Sequence, residues 1–297
     1  MSYLSQRAVT TLAVFFQADP DELNFVPLHK GMTNHSFRLD YGGKSYHFRQ
    51  PRPGRQIIDR TREAAVYQAI APYNFCDSPL YLDPETGYKL SPFLPQARPC
   101  NPKKEGDLVR WVKKIKRLHQ AKIELPHSFD LFAQIKHYEQ IRGLRPSLFP
   151  DYREIKEQIF SLKPYLDTVP KESCLTHLDP VADNCLFYQE GGQSKLQLTD
   201  WEYAGMQDPH VDLAMFAIYA GYERAELDHL LDLYFGQKCP ENIKSKIYCY
   251  MAICGLLWSN WCEAFQPEQA LAPYGRRQYR YAKEYAAIAL KRTGVAG

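Results

Sequence analysis

The segment Thr176-His-Leu-Asp-Pro-Val-Ala-Asp-Asn184 is followed, one predicted hairpin later, by Leu198-Thr-Asp-Trp-Glu202. Within the first segment Asp179 and Asn184 show the Asp-x-x-x-x-Asn spacing of a loop that supports phosphoryl transfer. The residues between the two segments predict two short strands around a Gly-Gly turn, which would bring Asp200 back beside Asn184. The stretch therefore predicts the acidic half of a phosphoryl-transfer site.

The residue types in this stretch agree with that chemistry. Phosphoryl transfer needs a carboxylate that orients and deprotonates the acceptor hydroxyl, and metal ions that hold the triphosphate. Asp179 can supply the first, and the oxygen atoms of Asn184 and Asp200 are donors of the kind that Mg²⁺ prefers. Either half alone could be a chance loop or a turn cap, but both halves in order favour the functional interpretation.

Further segments extend the pattern over nearly the whole chain. They are Lys30-Gly-Met-Thr-Asn-His-Ser-Phe37, Asp200-Trp-Glu-Tyr203, Asp208-Pro-His-Val-Asp212 and Trp258-Ser-Asn-Trp261. With the acidic loops, these segments resemble the choline/ethanolamine kinase family, a branch of the aminoglycoside-phosphotransferase-like kinases, and its bacterial choline kinases in particular. The resemblance implies an α+β, two-lobed protein-kinase-like fold, with a small antiparallel-sheet N-lobe and a larger, mainly helical C-lobe. It also implies ATP and choline as substrates and Mg²⁺ as cofactor.

Composition is that of an ordinary globular protein, with 45% hydrophobic and 24% charged residues and a formal charge of +3. We expect no nucleic-acid partner, because the charge forms no basic tract, and no membrane insertion, because no apolar run approaches the ~20 residues that span a bilayer. The N-terminus lacks the order of features of a secretory signal, which predicts a cytoplasmic protein. The eight cysteines show no Cys-x-x-Cys pair, so neither zinc nor disulfides are expected.

The pattern changes from strand-rich to helical along the chain. We expect residues 1–94 to form an N-terminal nucleotide-binding lobe and residues 95–297 a C-terminal lobe for catalysis and acceptor binding, with a proline-rich connector between them. Hairpins are predicted at 37–48 and 80–93. Helices are predicted at 59–70, around 108–119, and at 153–166, 208–221, 223–235, 241–265 and 275–291.

The nucleotide contacts are expected in the first lobe. The turn from Lys30 to Ser36 can cover the triphosphate, since its glycine allows close approach and its polar side chains can donate hydrogen bonds. The strand after it carries Arg49 where protein kinases place a lysine, and Glu63 on the following helix is its candidate partner. The predicted ATP-binding residues are Gly31, Thr33, Asn34, Ser36, Arg49 and Glu63.

The acceptor contacts are expected in the second lobe. A quaternary ammonium group has no hydrogen to donate, so aromatic faces and a carboxylate hold it. By pattern alone, an aromatic stripe such as Trp258 and Trp261 is more often core. The resemblance nevertheless implies that these tryptophans surround the trimethylammonium group. The substrate-binding candidates are Glu202, Tyr203, Tyr219, Trp258, Trp261 and Tyr281.

Two residues near the acidic loops are expected to act structurally. We expect His177 to shape the catalytic loop and not to carry a proton, since Asp179 already serves as base. The resemblance implies that Asp212 bonds the backbone of that loop.

The sequence also departs from the family. Eukaryotic members carry a glutamate where this chain has Tyr219, and their Asp-Phe-Glu-Tyr reads Asp-Trp-Glu-Tyr here, from Asp200. Kinases for ethanolamine, thiamine or an aminoglycoside therefore stay open as alternatives, although an aminoglycoside would require a more acidic pocket. A sensor that binds nucleotide or choline without turnover is a further alternative.

Overall fold

Helices and three separate sheets make up the computed structural model, which describes residues 3–28, 34–52 and 58–295. The helices are α1 (Gln6–Phe16), α2 (Arg60–Ile70), α3 (Glu105–His119), α4 (Leu131–Arg142), α5 (Tyr152–Ser161), α6 (Lys163–Thr168), α7 (His210–Ala220), α8 (Arg224–Phe235), α9 (Glu241–Phe265) and α10 (Pro273–Thr293). The strands are β1 (Asn24–Leu28), β2 (Asn34–Tyr41), β3 (Lys44–Pro51), β4 (Tyr81–Leu82), β5 (Lys89–Pro92), β6 (Arg98–Pro99), β7 (Cys174–Thr176), β8 (Cys185–Glu190), β9 (Gln193–Leu198) and β10 (Gly205–Gln207).

The chain divides into two compact units. Unit 1 comprises Met1–Pro99 and Leu186–Tyr203, and unit 2 comprises Cys100–Cys185 and Ala204–Gly297, as far as the structure describes them. Leu186–Tyr203, which the sequence analysis assigned to the second lobe, therefore belongs to the same unit as the first sheet. This grouping places Asp200 and Glu202 with Arg49 and Glu63.

A five-stranded antiparallel sheet of order β1-β2-β3-β5-β4 forms most of unit 1. The predicted hairpin of β2 and β3 is confirmed, and its turn uses Gly42 and Gly43 at φ values of 57° and 71°, where other residues are strained. The sheet packs against α1 through buried side chains such as Leu12, Phe37 and Phe48. A smaller sheet of order β6-β8-β9 contains the hairpin that leads to Asp200.

Helix α2 follows the first three strands, and its start is fixed locally. The Asp59 carboxylate accepts hydrogen bonds from the backbone N–H groups of Thr61 and Arg62, which cap the helix. Capping at this point places Arg60 and Glu63 in the first turn. Glu63 is only 1% exposed, so α2 turns a carboxylate towards the interior of unit 1.

Unit 2 is mainly helical, and the close pair α9 and α10 runs through it. A Cβ atom at Gly255 on α9 would lie 2.6 Å from the backbone nitrogen of Ala282 on α10, so glycine permits this approach. Elsewhere in the core, Trp111 on α3 stacks on Phe216 on α7 with ring centroids 3.8 Å apart. Strands β7 and β10 pair antiparallel and lead into and out of the acidic loops.

Most predicted helices are confirmed, with one split and two omissions, α1 and α4. The helix predicted at 153–166 is broken between α5 and α6, where Pro164 cannot donate the backbone hydrogen bond that would continue α5. Helix α4 was not predicted. Its signals were Asp130, which caps it, and the buried spacing of Leu131, Ile135 and Tyr138.

Two general features of the chain bear on later arguments. The eight cysteines are free thiols, and all are buried except the half-buried Cys174. Among the described residues, every helix is too short or too polar to cross a membrane.

Candidate active site

The loop that carries Asp179 begins where β7 ends, in unit 2. Strand β10 fixes that end, since Thr176 Oγ1 donates to the carbonyl oxygen of Gly205 over 2.8 Å. Beyond it, Leu178 adopts a left-handed backbone with φ 62°, which costs a non-glycine residue about 1–2 kcal/mol. The loop therefore needs an external partner to hold this conformation.

Asp212, on α7, is that partner. Its Oδ2 accepts from the backbone N–H of His177 over 2.9 Å, and its Oδ1 accepts from the backbone N–H of Leu178 over 2.7 Å. Asp212 is completely buried, so these charge-assisted bonds form away from water. They hold the backbone immediately before Asp179.

Asp212 is itself oriented from α3. The imidazole Nε2 of His119 lies 2.9 Å from Asp212 Oδ2, and its Nδ1 lies 2.9 Å from the hydroxyl of Tyr234. His119 ends the helix that the sequence predicts around residues 108–119, and its contact with Asp212 was missed. A buried histidine at the end of an apolar stripe was the available signal.

His177 is fully buried inside the loop. Its Nδ1 accepts a hydrogen bond from the backbone N–H of Asp179 over 3.3 Å, so that nitrogen carries no proton in this arrangement. The contact shapes the turn that presents Asp179.

Asp179 and Asn184 contact each other directly. Asn184 Nδ2 donates to Asp179 Oδ2 over 2.9 Å and to the Asp179 carbonyl oxygen over 3.0 Å. Because the amide nitrogen is directed at Asp179, metal binding by Asn184 would use its Oδ1 atom. Both side chains are half-buried, as a base and a metal ligand facing substrate require.

In unit 1, Arg49 and Glu63 form a buried bidentate pair. Arg49 Nη1 and Nη2 donate to Glu63 Oε1 and Oε2 over 2.6 and 2.8 Å. Burial alone would raise the pKa of Glu63, but the charge and hydrogen bonds of Arg49 outweigh it and lower the pKa to about 2. The pair predicted from sequence therefore forms, although its role towards nucleotide stays a prediction.

Asp200 follows β9 and touches the same arginine. Its Oδ1 lies 3.2 Å from Arg49 Nη1, and its side chain is 32% exposed while those of Arg49 and Glu63 are buried. Its φ of 63° is left-handed, so the chain turns sharply at this residue. Asp200 is thus anchored on one side and accessible on the other.

Glu202 has partners that the sequence did not indicate. Its Oε2 accepts from Arg60 Nη1 over 3.0 Å and from Asn34 Nδ2 over 3.2 Å. Burial, and then the negative charge of Asp200, raise the pKa of Glu202 to about 7. The predicted acceptor-site carboxylate thus lies in unit 1, between an arginine and an amide.

Three carboxylates in unit 1 come close enough to suggest a metal site. Ligand oxygens of Glu63, Asp200 and Glu202 lie within 4.8 Å of one another. Arg49 Nη1, however, lies 2.6, 3.2 and 3.8 Å from oxygens of these residues, so a guanidinium already serves as their common cation. A metal ion fits better at the accessible side of Asp200, whose hard oxygen donors suit Mg²⁺.

The remaining predicted nucleotide contacts are only partly described. Gly31 and Thr33 lie outside the described residues. Ser36, on β2, pairs in register with Arg49 on β3, and Asn34 at the start of β2 is buried in contact with Glu202.

An aromatic cluster lies in unit 2 beside Asp179. The ring centroid of Trp258 is 5.8 Å from Tyr219 and 6.5 Å from Trp261. Burial, and then the charge of Asp179, raise the pKa of Tyr219, which places this tyrosine near the predicted base. The two tryptophans are only 4% and 3% exposed.

Tyr274 joins this cluster, and the sequence analysis missed it. Its pKa is raised by burial, then by Cys262 and by the charge of Asp179, and it interacts with Tyr219. It stands in the first turn of α10, where the Pro-Tyr-Gly sequence gives little sign of a site.

Tyr281 packs in the core of unit 2. Tyr281, on α10, is 1% exposed, donates from its hydroxyl to the carbonyl oxygen of Tyr222 over 2.8 Å and packs against Tyr285. It lies seven positions after Tyr274, two turns along the same helix, and its contacts are those of a core residue. Tyr203 is buried at the end of unit 1.

Comparisons with known proteins agree with the fold. Protein LicA of Haemophilus influenzae is 25% identical over 214 residues, 70% of this chain, and the match spans 61% of that protein, less than two thirds. Choline kinase LicA from Streptococcus pneumoniae has a crystal structure with a TM-score of 0.82 and 22% identity, over 97% of this chain and 100% of that chain. LicA in complex with AMP gives 0.80 and 21%, over 97% and 100%.

The fold is the predicted protein-kinase-like fold, with an antiparallel-sheet N-terminal region and a mainly helical C-terminal part. The model of the phosphotransferase enzyme family (APH) matches residues 24–243, which include Arg49, Asp179, Asn184 and Asp200 but end before Trp258. This match covers well over half of the chain. The chain belongs to the phosphotransferase enzyme family.

Proposed function

We propose that this enzyme transfers the γ-phosphoryl group of ATP to the hydroxyl of choline, with Mg²⁺ as cofactor. The observation that carries the proposal is that Asp179 accepts a hydrogen bond from Asn184 and also lies near Tyr219 of the aromatic cluster. A base placed in this way suits an acceptor whose hydroxyl faces the carboxylate while its cationic end faces aromatic rings.

Asp179 has the role of base in this proposal. Its carboxylate would accept the proton of the choline hydroxyl as the oxygen attacks the γ-phosphorus and the bond to the β,γ-bridging oxygen breaks to release ADP. The Asn184 amide would keep the carboxylate oriented. Asp212 and His177 act through the loop backbone, since they contact its N–H groups and not the substrate.

Asn184 and Asp200 would hold the metal in this proposal. When bound, Mg²⁺ would neutralise charge on the phosphate oxygens. Arg49, held by Glu63, would contribute a permanent positive charge towards the phosphates. The solved LicA with AMP supports an adenine nucleotide as the donor. We assign nucleotide binding to residues 1–94 together with Leu186–Tyr203, and acceptor binding to the remainder of residues 95–297.

The aromatic cluster supports a cationic acceptor. A cation held over an aromatic face contributes about 0.5–2 kcal/mol, and Tyr219, Trp258 and Trp261 could each supply a face. Choline kinase LicA from Streptococcus pneumoniae, which has the same fold, adds support for choline.

A coupled ADP-release assay tests the proposal. Choline, ethanolamine, thiamine and kanamycin are compared at matched concentrations, with Asp179→Asn as the control for background hydrolysis. We expect the highest kcat/KM for choline. Turnover with another amine in preference would reassign the acceptor, and nucleotide binding without turnover of any of them would favour the sensor.

A further inference from the structure

Arg60 joins three segments that the proposed function assigns to nucleotide and metal. Its Nη1 donates to Glu63 Oε2 over 2.7 Å and to Glu202 Oε2 over 3.0 Å, and its Nη2 donates to Asn34 Oδ1 over 3.0 Å. Asn34 completes the ring by donating to Glu202 over 3.2 Å. One guanidinium therefore ties the start of β2, the first turn of α2 and the segment after Asp200.

The charges of the side chains around Arg60 explain why the contacts of its guanidinium group matter. Three carboxylates, Glu63, Asp200 and Glu202, share two guanidinium groups. The side chains of Glu63 and Glu202 are 0% and 1% exposed, so water cannot compensate either charge. Removal of Arg60 would leave Glu202 with an amide and with Arg49 Nη1 at 3.8 Å as its nearest cation.

Arg49 is also the anchor of Asp200. If Glu202 drew Arg49 towards itself, the 3.2 Å contact between Arg49 and Asp200 would lengthen and the Asp200 carboxylate would lose its fixed orientation. Asp200 has a left-handed backbone, so its position depends on the residues that follow it. Arg60 supplies Glu202 with a cation of its own at 3.0 Å.

We propose that Arg60 is a positioning residue that fixes Asp200 for Mg²⁺ and nucleotide, and that it acts through Glu202 without contacting either ligand. The inference rests on the proposed function, in which Asp200 holds the metal. It also gives Glu202 a role in unit 1 in place of the acceptor contact expected from sequence.

The test measures binding of Mn²⁺ in the presence of ADP, followed by the electron paramagnetic resonance signal of free Mn²⁺, so that no acceptor is needed. Arg60→Gln should weaken Mn²⁺ binding about 10- to 100-fold, the range for groups that orient metal ligands. Arg62→Gln is the matched control, because Arg62 lies on the same helix with its side chain 57% exposed. It should bind Mn²⁺ as the unaltered enzyme does.

The double variant Arg60→Gln with Glu202→Gln separates positioning from other roles. A neutral amide at position 202 no longer competes for Arg49, so Mn²⁺ binding should return to within about 3-fold of normal. The effects of the two substitutions on Mn²⁺ affinity should therefore not be additive. If the double variant stays as weak as Arg60→Gln, Arg60 contacts the ligand itself and the inference is overturned. Normal binding in Arg60→Gln would overturn it as well.

Folding and function are kept apart in this design. Arg60→Lys keeps the positive charge but not the planar guanidinium group, and its affinity for Mn²⁺ should fall between those of the unaltered enzyme and Arg60→Gln. If Arg60→Gln folds poorly, Arg60→Lys decides the test. Mn²⁺ binding by Arg60→Lys that equals that of Arg62→Gln would count against the inference. Absence of choline turnover in the unaltered enzyme would contradict the acceptor assignment alone, because Mn²⁺ binding with ADP involves no acceptor.

Discussion

Asn184 donates a hydrogen bond from Nδ2 to Asp179 Oδ2 across 2.9 Å, so the predicted metal ligand and the predicted base are in direct contact. This hydrogen bond holds one oxygen of the Asp179 carboxylate and fixes the orientation of the Asn184 amide. A substitution at either residue should therefore change both proton transfer by Asp179 and metal binding by Asn184.

Asp179→Asn should lower kcat by about 10²- to 10⁴-fold, the range for a general base, and change ATP affinity only a few-fold. Steady-state kinetics and equilibrium binding of nucleotide measure the two effects. Asp183→Asn is the matched control, since Asp183 is exposed in the same loop and should keep normal kcat. Near-normal kcat in Asp179→Asn would remove this residue from the mechanism.

Asn184→Ala should raise the Mg²⁺ concentration needed for half-maximal rate, because it removes one oxygen ligand and the donor that orients Asp179. Asp200→Ala should abolish turnover. The exposed Asn242, at the start of α9, provides the control variant Asn242→Ala. An unchanged Mg²⁺ titration in Asn184→Ala would show that this amide is not a ligand.

Trp258→Leu and Trp261→Leu should each raise the KM for choline about 3- to 30-fold, because leucine keeps apolar volume but removes the aromatic face. The KM for ATP should stay nearly constant. Trp111→Leu serves as the core control, since Trp111 is fully buried against Phe216, and it should lower the melting temperature without a selective effect on choline. A similar general loss of stability in all three variants would identify the α9 tryptophans as core residues.

Asp212→Asn should lower the free energy of unfolding by about 2–4 kcal/mol, because an amide cannot accept from the backbone N–H groups of both His177 and Leu178. The loop before Asp179 would then relax, and kcat should fall more than KM rises. Urea unfolding and steady-state kinetics measure these changes. Asp232→Asn, which affects a single bond to the Cys239 backbone at an exposed position, should cost much less. Equal costs at the two positions would argue against a special role of Asp212.

His47 predicts a pH dependence of stability. Burial, and then the charge of Lys89, lower the pKa of His47 from 6.5 to about 4. The unfolded chain therefore binds a proton that the folded chain does not between these values, so stability is complete above about pH 6.5 and falls as the pH drops towards 4. The loss due to His47 should reach about 1 kcal/mol near pH 5.5.

Urea unfolding at about pH 8 and pH 5.5 measures this loss, and His47→Gln should remove roughly that part of the difference. His137→Gln, at an exposed position on α4, is the control and should leave the difference unchanged. An identical pH dependence in His47→Gln and the unaltered protein would contradict the assignment.

Local signals in the sequence were sufficient for several features. The hairpin at 37–48 and the helices predicted at 59–70 and 241–265 depend on neighbouring residues, and the structure confirms them. The pairing of Arg49 with Glu63 could also be anticipated, because strand and helix follow each other closely in the chain.

Contacts between distant segments were harder to anticipate. Glu202 accepts a hydrogen bond from Arg60, 142 positions away, and Tyr274, in the first turn of α10, lies near Asp179. Spacing within a motif carries no information about such partners, since they depend on how elements pack. Tyr281 is the opposite case. Its aromatic ring suggested a place at the acceptor site, but it lies two turns along α10 from Tyr274 and has a core position.

The positions of the cysteines allow them to serve as natural probes of local unfolding in each unit. Cys76 is the one cysteine in unit 1, and the other seven cysteines of the chain lie in unit 2. Their burial means that an alkylating reagent can label most of them only when the surrounding structure opens. Pulsed alkylation followed by mass spectrometry would therefore report, without any engineered label, which unit unfolds first and whether ATP or choline slows it.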